Sequence, residues 1–372
     1  MSPITVLMLS GGGHTGGNVL AALRPHRASL YLVATSDVAT EPSLFEFDEV
    51  YLAPTLHDAP DAFEVRVREI LAAQSPTIII PCRDDDVLWL AGFAARNPEW
   101  RERCLCGDAA MASVINDKWL SAQFCLQHGL PFSASLHADS DESVPAFIGR
   151  VGLPLVAKPR HGAESRGIFL VTTHMQAERA RALDGYVLQQ YLGDSKRIDE
   201  FLDRVSSQGI PLFQSFEGVK HSIQVMIGPD GRVAHVACTL NQFSGRTART
   251  IEHDDSQQAR AIGQCCADVF VSAGWRGPLN IQCQFDRSGE LKIHEFNGRF
   301  TGATAARSAL GIDEVGTAIR LFTGHDITAK MGEIPQAKIA YERLSVRSAD
   351  NAQIEALHRH TRWQRPLGSD SE

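Results

Sequence analysis

The sequence predicts an α/β amino-terminal part on a parallel sheet, followed by an α+β part. Three observations predict it. Over the first hundred residues, short apolar runs alternate with segments of helical spacing, the pattern of strands joined by crossover helices. After "MASVINDKWLSAQFCLQHGL" the texture changes to strand–loop–strand units and hairpins. A chain of 372 residues is long enough for two or three cores.

The elements follow in order. "ITVLMLS" is an apolar run, and "GGGHTGGNVLAALRPH" is a Gly-rich turn entering a helix. "SLYLVATSD" and "EVYLAP" are strands, "DAFEVRVREILAAQ" has helical spacing, "TIIIPC" is a buried strand and "DDDVLWLAGFAARN" is a helix with acids in its first turn. "MASVINDKWLSAQFCLQHGL" reads as one or two helices that stop at Gly129, with Pro131 beyond. "PLVAKP" and "IFLVTT" flank the loop "RHGAESRG"; "THMQAERARAL" is a helix and "YVLQQYL" a strand. "DSKRIDEFLDRVSSQG" is polar and helical. The strands "PLFQSF", "HSIQVMIGPDG" and "RVAHVACTL" come next, then the helix "SQQARAIGQCCADVFVSAG". "GPLNIQCQFDRSGELKIHEFNGRF" is a hairpin turning at Gly289, more helix follows, and the tail after Pro366 is expected to lack order.

Composition narrows the function. Hydrophobic content of 44% and charged content of 22% suit a soluble globular protein. A net charge of −8 argues against a general nucleic-acid binder. No apolar run approaches about 18 residues, and the start is a strand rather than a basic leader, so neither a membrane nor secretion is expected. Eight cysteines without a CxxC pair read as thiols of a reducing cytoplasm rather than zinc ligands or disulfides.

Two motifs compete for the functional site. Gly11, Gly13 and Gly16 form GxGxxG between a strand and a helix, with Asp37 some twenty residues on. That is the context of a dinucleotide-binding fingerprint, and it supports an NAD(P)-dependent oxidoreductase; any parallel sheet that needs glycines at its first turn would look the same. The hairpin is the rival. Extended alternation puts Ile293, Glu295, Asn297 and Arg299 on one face, and Lys292, His294, Phe296 and Gly298 on the other. The partner strand offers Asn280, Gln282 and Gln284. Oxygen ligands beside one fixed cation suit Mg²⁺ and phosphate; a buried Glu295–Arg299 ion pair is the alternative. Lys158 follows a buried run and precedes a loop with Gly162, Ser165 and Gly167, which can offer N–H groups and a charge to phosphate.

Taken together, "NDKW", "PLVAKPRHGAESRG", "VLQQYL", "GPLNIQ" and "EFNGRFTG" resemble the ATP-grasp superfamily, with its carbamoyl-phosphate-synthetase-like and amino-acid-ligase branch as the nearest likeness. Five motifs occur in the family's order over about residues 1–325. The resemblance implies an ATP-grasp fold behind a Rossmann-like domain whose Gly-rich turn holds no dinucleotide. It divides the chain into that domain (1–110), a central subdomain with the phosphate loop (111–192), a metal-bearing subdomain (193–330) and a carboxyl-terminal extension (331–372). It places Lys118, Lys158, Gly162, Ser165 and Gly167 on ATP phosphates, and the backbone of Gln190 and Leu192 on adenine. Gln282, Glu295 and Asn297 fall on Mg²⁺, and Arg299 on the γ-phosphate and acyl-phosphate. Arg249, with Arg246, is implied over the reacting acyl group. His221 and Gln224 stand where the family often has acids for the ribose, and Arg307 is open between a substrate carboxylate and solvent. The activity implied is ATP-dependent ligation of a carboxylate to an amine through an acyl-phosphate, by a cytoplasmic enzyme of a family often dimeric. A nucleotide-binding protein without catalysis is the remaining alternative.

Overall fold

The computed structural model describes residues 3–162, 166–210, 218–244, 247–327, 337–341 and 347–366, the side chains of 244 and 247–249 excepted. The expected strand "PLFQSF" falls outside them. The first sheet is built from β1 (Ile4–Leu9), β2 (Leu30–Ser36), β3 (Glu49–Leu52) and β4 (Ile78–Pro81), all parallel, in the order β3-β2-β1-β4. Val6, Leu7, Met8 and Leu9 are all fully buried, as a strand covered on both faces requires. The covering helices are α1 (His14–Ala22), α2 (Pro60–Gln74) and α3 (Asp84–Arg96). On α2, Phe63, Val67, Ile70 and Leu71 form the buried stripe.

The Gly-rich turn is a packing device. A Cβ on Gly16 would lie 2.1 Å from the Gly11 carbonyl oxygen, and one on Gly11 2.9 Å from Ala34 Cβ. The Ser43 hydroxyl donates to the Gly12 carbonyl, and Leu44 would meet any Cβ on Gly12. Asp37, the candidate ribose acid, is engaged at both oxygens by the Arg83 guanidinium. The oxidoreductase reading loses its two supports to ordinary tertiary contacts.

A second, antiparallel sheet follows α4 (Ala109–Asn116) and α5 (Lys118–Gln127). It consists of β5 (Ser135–Leu136), β6 (Leu155–Pro159), β7 (Phe169–Val171) and β8 (Tyr186–Gln190), ordered β5-β8-β6-β7. With α6 (Val144–Val151) and α7 (His174–Arg181) it closes its own small core around Leu136, Phe147, Leu155 and Leu188.

Beyond α8 (Ser195–Gln208) lies the third sheet, also antiparallel. It contains β9 (Val219–Ile227), β10 (Val233–Ser244), β11 (Thr247–His253), β12 (Gly277–Phe285), β13 (Leu291–Asn297) and β14 (Ile339–Tyr341), ordered β13-β12-β9-β10-β11-β14. One face packs on α9 (Gln257–Ser272): Ile223, Val225, Ile281, Ile293 and Phe296 share a core with Cys266, Ala267 and Phe270. The other face is polar and bears the site. The chain then runs through α10 (Thr304–Ala309) and α11 (Glu314–Thr323). Finally α12 (Asn351–His360) and β15 (Arg362–Gln364) return to the first sheet, where β15 pairs antiparallel with β3. Among the described residues no helix is long and apolar enough to cross a membrane. All eight cysteines are free, and only Cys265 is exposed.

The β12–β13 register corrects the expected alternation. Gln282 pairs with Glu295, but Cys283 pairs with Ile293, so His294 is an extra residue in β13. The bulge flips the alternation. Ile293 joins the core, away from Glu295, instead of sharing its face, and His294 does not turn away with Phe296. The polar segment expected to be helical forms α8, anchored by buried Ile198 and Phe201. Its Asp199 carboxylate takes both Nη atoms of Arg287 in the β12–β13 turn.

Candidate functional site

Lys118 is the first residue of α5. Asp117 caps that helix, accepting from the N–H groups of Trp119 and Leu120, and pairs with the Arg160 guanidinium just after β6. Burial alone would raise the Asp117 carboxyl, but Arg160 and the two N–H groups hold it below the usual range. So anchored, the Lys118 ammonium donates to the Gly162 carbonyl at 3.2 Å and lies 3.5 Å from Glu295 Oε1.

Lys158, on β6, is 5% exposed. Its ammonium donates to the carbonyl of the bulged His294 at 3.0 Å. Burial pushes it down to about 7; Glu295 opposes that shift, and Lys118 and Lys220 add to it. Glu295 shows the mirror effect. Burial favours its neutral form, yet Lys118 and Lys158 hold the carboxyl at about 2. The His294 imidazole is pushed well below its usual range by burial and by Lys158, and is neutral.

Arg299 is held from the first sheet. Asp84, the first residue of α3, accepts from its Nη2 at 2.8 Å and lies 2.8 Å from its Nε, while Nη1 donates to the Phe300 carbonyl at 3.0 Å. The expected alternative of a Glu295–Arg299 pair is therefore not what forms: the carboxylate partner of Arg299 is Asp84 and the cation on Glu295 is Lys118. Asp84 and Lys220 escaped the sequence reading. The acidic triplet of "CRDDDV" reads as a helix start, and nothing in the sequence ties it to a residue 215 positions away.

Gln282 and Asn297 lie on the face of Glu295, with Asn280 pairing Asn297 across the ladder. The Asn297 amide donates to Asn280 Oδ1 at 3.4 Å, which aims its own oxygen away from that contact. One carboxylate and two amide oxygens form a hard donor set that fits Mg²⁺, with phosphates supplying further ligands. Among the described residues no group of three or more His, Cys, Asp or Glu could hold a metal without such help.

Other expectations fare differently. The Gln190 N–H donates to the Ala134 carbonyl and its carbonyl accepts from the Ser133 hydroxyl, so its N–H is committed within the fold rather than offered to a base. Leu192, two residues on, is buried. Gly162 and Gly167 both adopt positive φ at the loop ends, while Ser165 and the side chain of Arg249, with Arg246, lie outside the described residues. His221 pairs with Cys283 across the ladder and bonds Asp254 at 2.7 Å, on the core face rather than by the site; Ser222 and Gln224 take the site face instead. Arg307 does not face solvent: it is fully buried and ion-paired to Glu314 at 2.7 Å.

Three antiparallel and parallel sheets of this order, with two lysines and an arginine gathered around one hairpin glutamate, can be compared with known proteins. No family model matches the chain. A D-alanine--D-alanine ligase of Chromohalobacter salexigens is 25% identical over 202 residues, 51% of this chain and 58% of that protein. The chain thus spans little more than half of that relative's length. Among solved structures, an N5-carboxyaminoimidazole ribonucleotide synthetase in its ADP complex superposes with a TM-score of 0.63 at 15% identity, covering 97% of this chain and 85% of that one. An L-amino acid ligase from Bacillus licheniformis gives 0.59 at 14% identity, covering 87% and 75%. The chain has the ATP-grasp fold of these solved structures. In this fold a helix covering the first sheet contributes Asp84, the second sheet Lys158 and the third Glu295, so the site exists only where the three meet.

Proposed function

We propose that the chain is an ATP-dependent carboxylate–amine ligase. The observation that carries this reading is the convergence of Lys118, Lys158 and Arg299, from three separate elements, around Glu295. Two lysines hold that carboxylate ionised at about 2, and the Arg299 guanidinium feels the same charge. Such a cluster is built for a polyphosphate and its counter-ion. The relatives named above, two amino-acid ligases and a synthetase solved with ADP, support the same class.

In this reading Lys118 and Lys158 hold phosphate oxygens of ATP. Glu295, with Asn297 and Gln282, would hold Mg²⁺, which when bound neutralises phosphate charge. Arg299, aimed by Asp84, steadies the γ-phosphoryl group in flight. A substrate carboxylate attacks that phosphorus, the bond to the β-phosphate oxygen breaks, and ADP leaves with its electron pair. An amine then adds to the acyl-phosphate carbonyl and phosphate departs, the amine proton passing to solvent or to phosphate. The chain supplies position and charge rather than a nucleophile. A phosphate-release screen with MgATP over amino acids and small acids, singly and with amines, tests the proposal. ADP formation that depends on an acid supports it. Absence of acid-dependent turnover, or stabilisation by NAD(P)H and not by MgATP, refutes it.

A further inference from the structure

Gln224 is fully buried on the polar face of the third sheet, and neither its amide nitrogen nor its amide oxygen has a hydrogen-bond partner among the described residues. Buried amides are almost always paired, so a side chain with both atoms open calls for an explanation. Its position supplies one. Across the ladder it sits between Ala237 and Asn280, and Asn280 pairs with Asn297. The next row on the same face is Thr239, Ser222, Gln282 and Glu295. Gln224 therefore lies one row from the phosphate cluster and two strands from Asn297, about 10 Å at the strand spacing.

Its neighbours do not satisfy it. Asn280 gives its amide nitrogen to the Ser222 hydroxyl and the Ile223 carbonyl, and its oxygen accepts from Asn297. Ala237 offers only a methyl. Beyond Ala237 the same polar layer continues: His235 Nε2, Arg307 Nη1 and Glu314 Oε2 are also buried without partners among the described residues. Arg307 and Glu314 satisfy each other through their other atoms, whereas Gln224 is open at both.

We propose that Gln224 is a specificity-determining residue of the acid-binding site, holding a substrate group that presents a donor and an acceptor side by side: the amide edge of a primary carboxamide. The proposal rests on the ligase reading. An amide edge meets both Gln224 atoms at once, which neither a carboxylate nor an ammonium group does. In a site closed to solvent, a missing partner at either atom is costly, so discrimination against acids lacking the amide is strong.

The test uses the full chain with MgATP. Acid-dependent ADP release is measured for glutamine and asparagine against norleucine and glutamate, in the wild type and in Gln224→Met, which keeps the volume and removes the amide. The wild type is expected to prefer the amide acids at least about tenfold in kcat/KM. Gln224→Met should lose that preference through the KM for the acid. It should also melt no lower than the wild type, because an open amide stabilises nothing in the free protein. Turnover without amide preference, retention of the preference in Gln224→Met, or a clear drop in its melting temperature overturns this inference and leaves the ligase reading standing. No turnover with any acid in the wild type overturns both.

Discussion

Glu295→Gln tests the electrostatic logic of the site without altering its shape. In the wild type the Glu295 carboxyl is held at about 2 against an ordinary value of 4.5. A group depressed on folding stabilises the fold above its unfolded pKa, and that contribution disappears as pH falls through the folded value. The relevant window is thus pH 4.5 to 2. At 1.36 kcal/mol per unit the contribution is about 3 kcal/mol, an upper figure because the side chain is 27% exposed. The variant retains a hydrogen-bonding amide but leaves Lys118 and Lys158 facing each other without a counter-charge. Urea unfolding at pH 7, 5, 3.5 and 2.5 reads the difference between the two proteins, which cancels other carboxylates. That difference should be largest at neutral pH and shrink by about 3 kcal/mol towards pH 2. ADP release by the variant should fall by about 10²–10³-fold, the scale seen when one preorganised charge or donor is lost. A stability difference that stays constant over this pH range would mean that the lysines do not hold the carboxylate, and the reasoning would fail.

Lys158, depressed to about 7, is charged only below that pH in the free protein. ATP affinity measured by calorimetry should therefore weaken as pH rises from 6 to 8, by up to about tenfold per unit, and Lys158→Arg, which stays charged, should flatten that dependence. Asp84→Ala strips Arg299 of its carboxylate; it should cost about 3 kcal/mol in denaturant unfolding and lower kcat, while Asp84→Glu restores part of both. An unchanged kcat in folded Asp84→Ala would show that aiming Arg299 does not matter. Gly16→Ala drives a Cβ to 2.1 Å from a backbone oxygen, so it should destabilise by about 1–3 kcal/mol, and NADH should give neither protein thermal protection.

Much of the candidate site is legible in the chain. Lys118, Lys158, Glu295, Asn297 and Gln282 sit in short motifs whose polar groups interrupt apolar strands, and such interruptions are visible one residue at a time. The face of Glu295 was legible only in part. Period-two alternation places Ile293 beside it, and the His294 bulge reverses that, because one extra residue shifts every side chain before it to the opposite face. His221 was misplaced for a related reason: its face depends on strand register, and its partner Asp254 lies 33 residues away.

The sequence by itself determined the order of the elements, the Gly-rich turn, the buried strands and the residue types able to meet phosphate and metal. These follow from local periodicity and from chemistry carried by single side chains. Only the tertiary structure decided which charges meet. Asp84 takes Arg299 across 215 positions, Lys118 rather than Arg299 faces Glu295, and Arg83 closes the Asp37 site that the glycine pattern advertised. Pairing of this kind is a matter of distance in space and of burial, which strengthens each interaction, and neither is written in the spacing of residues along the chain.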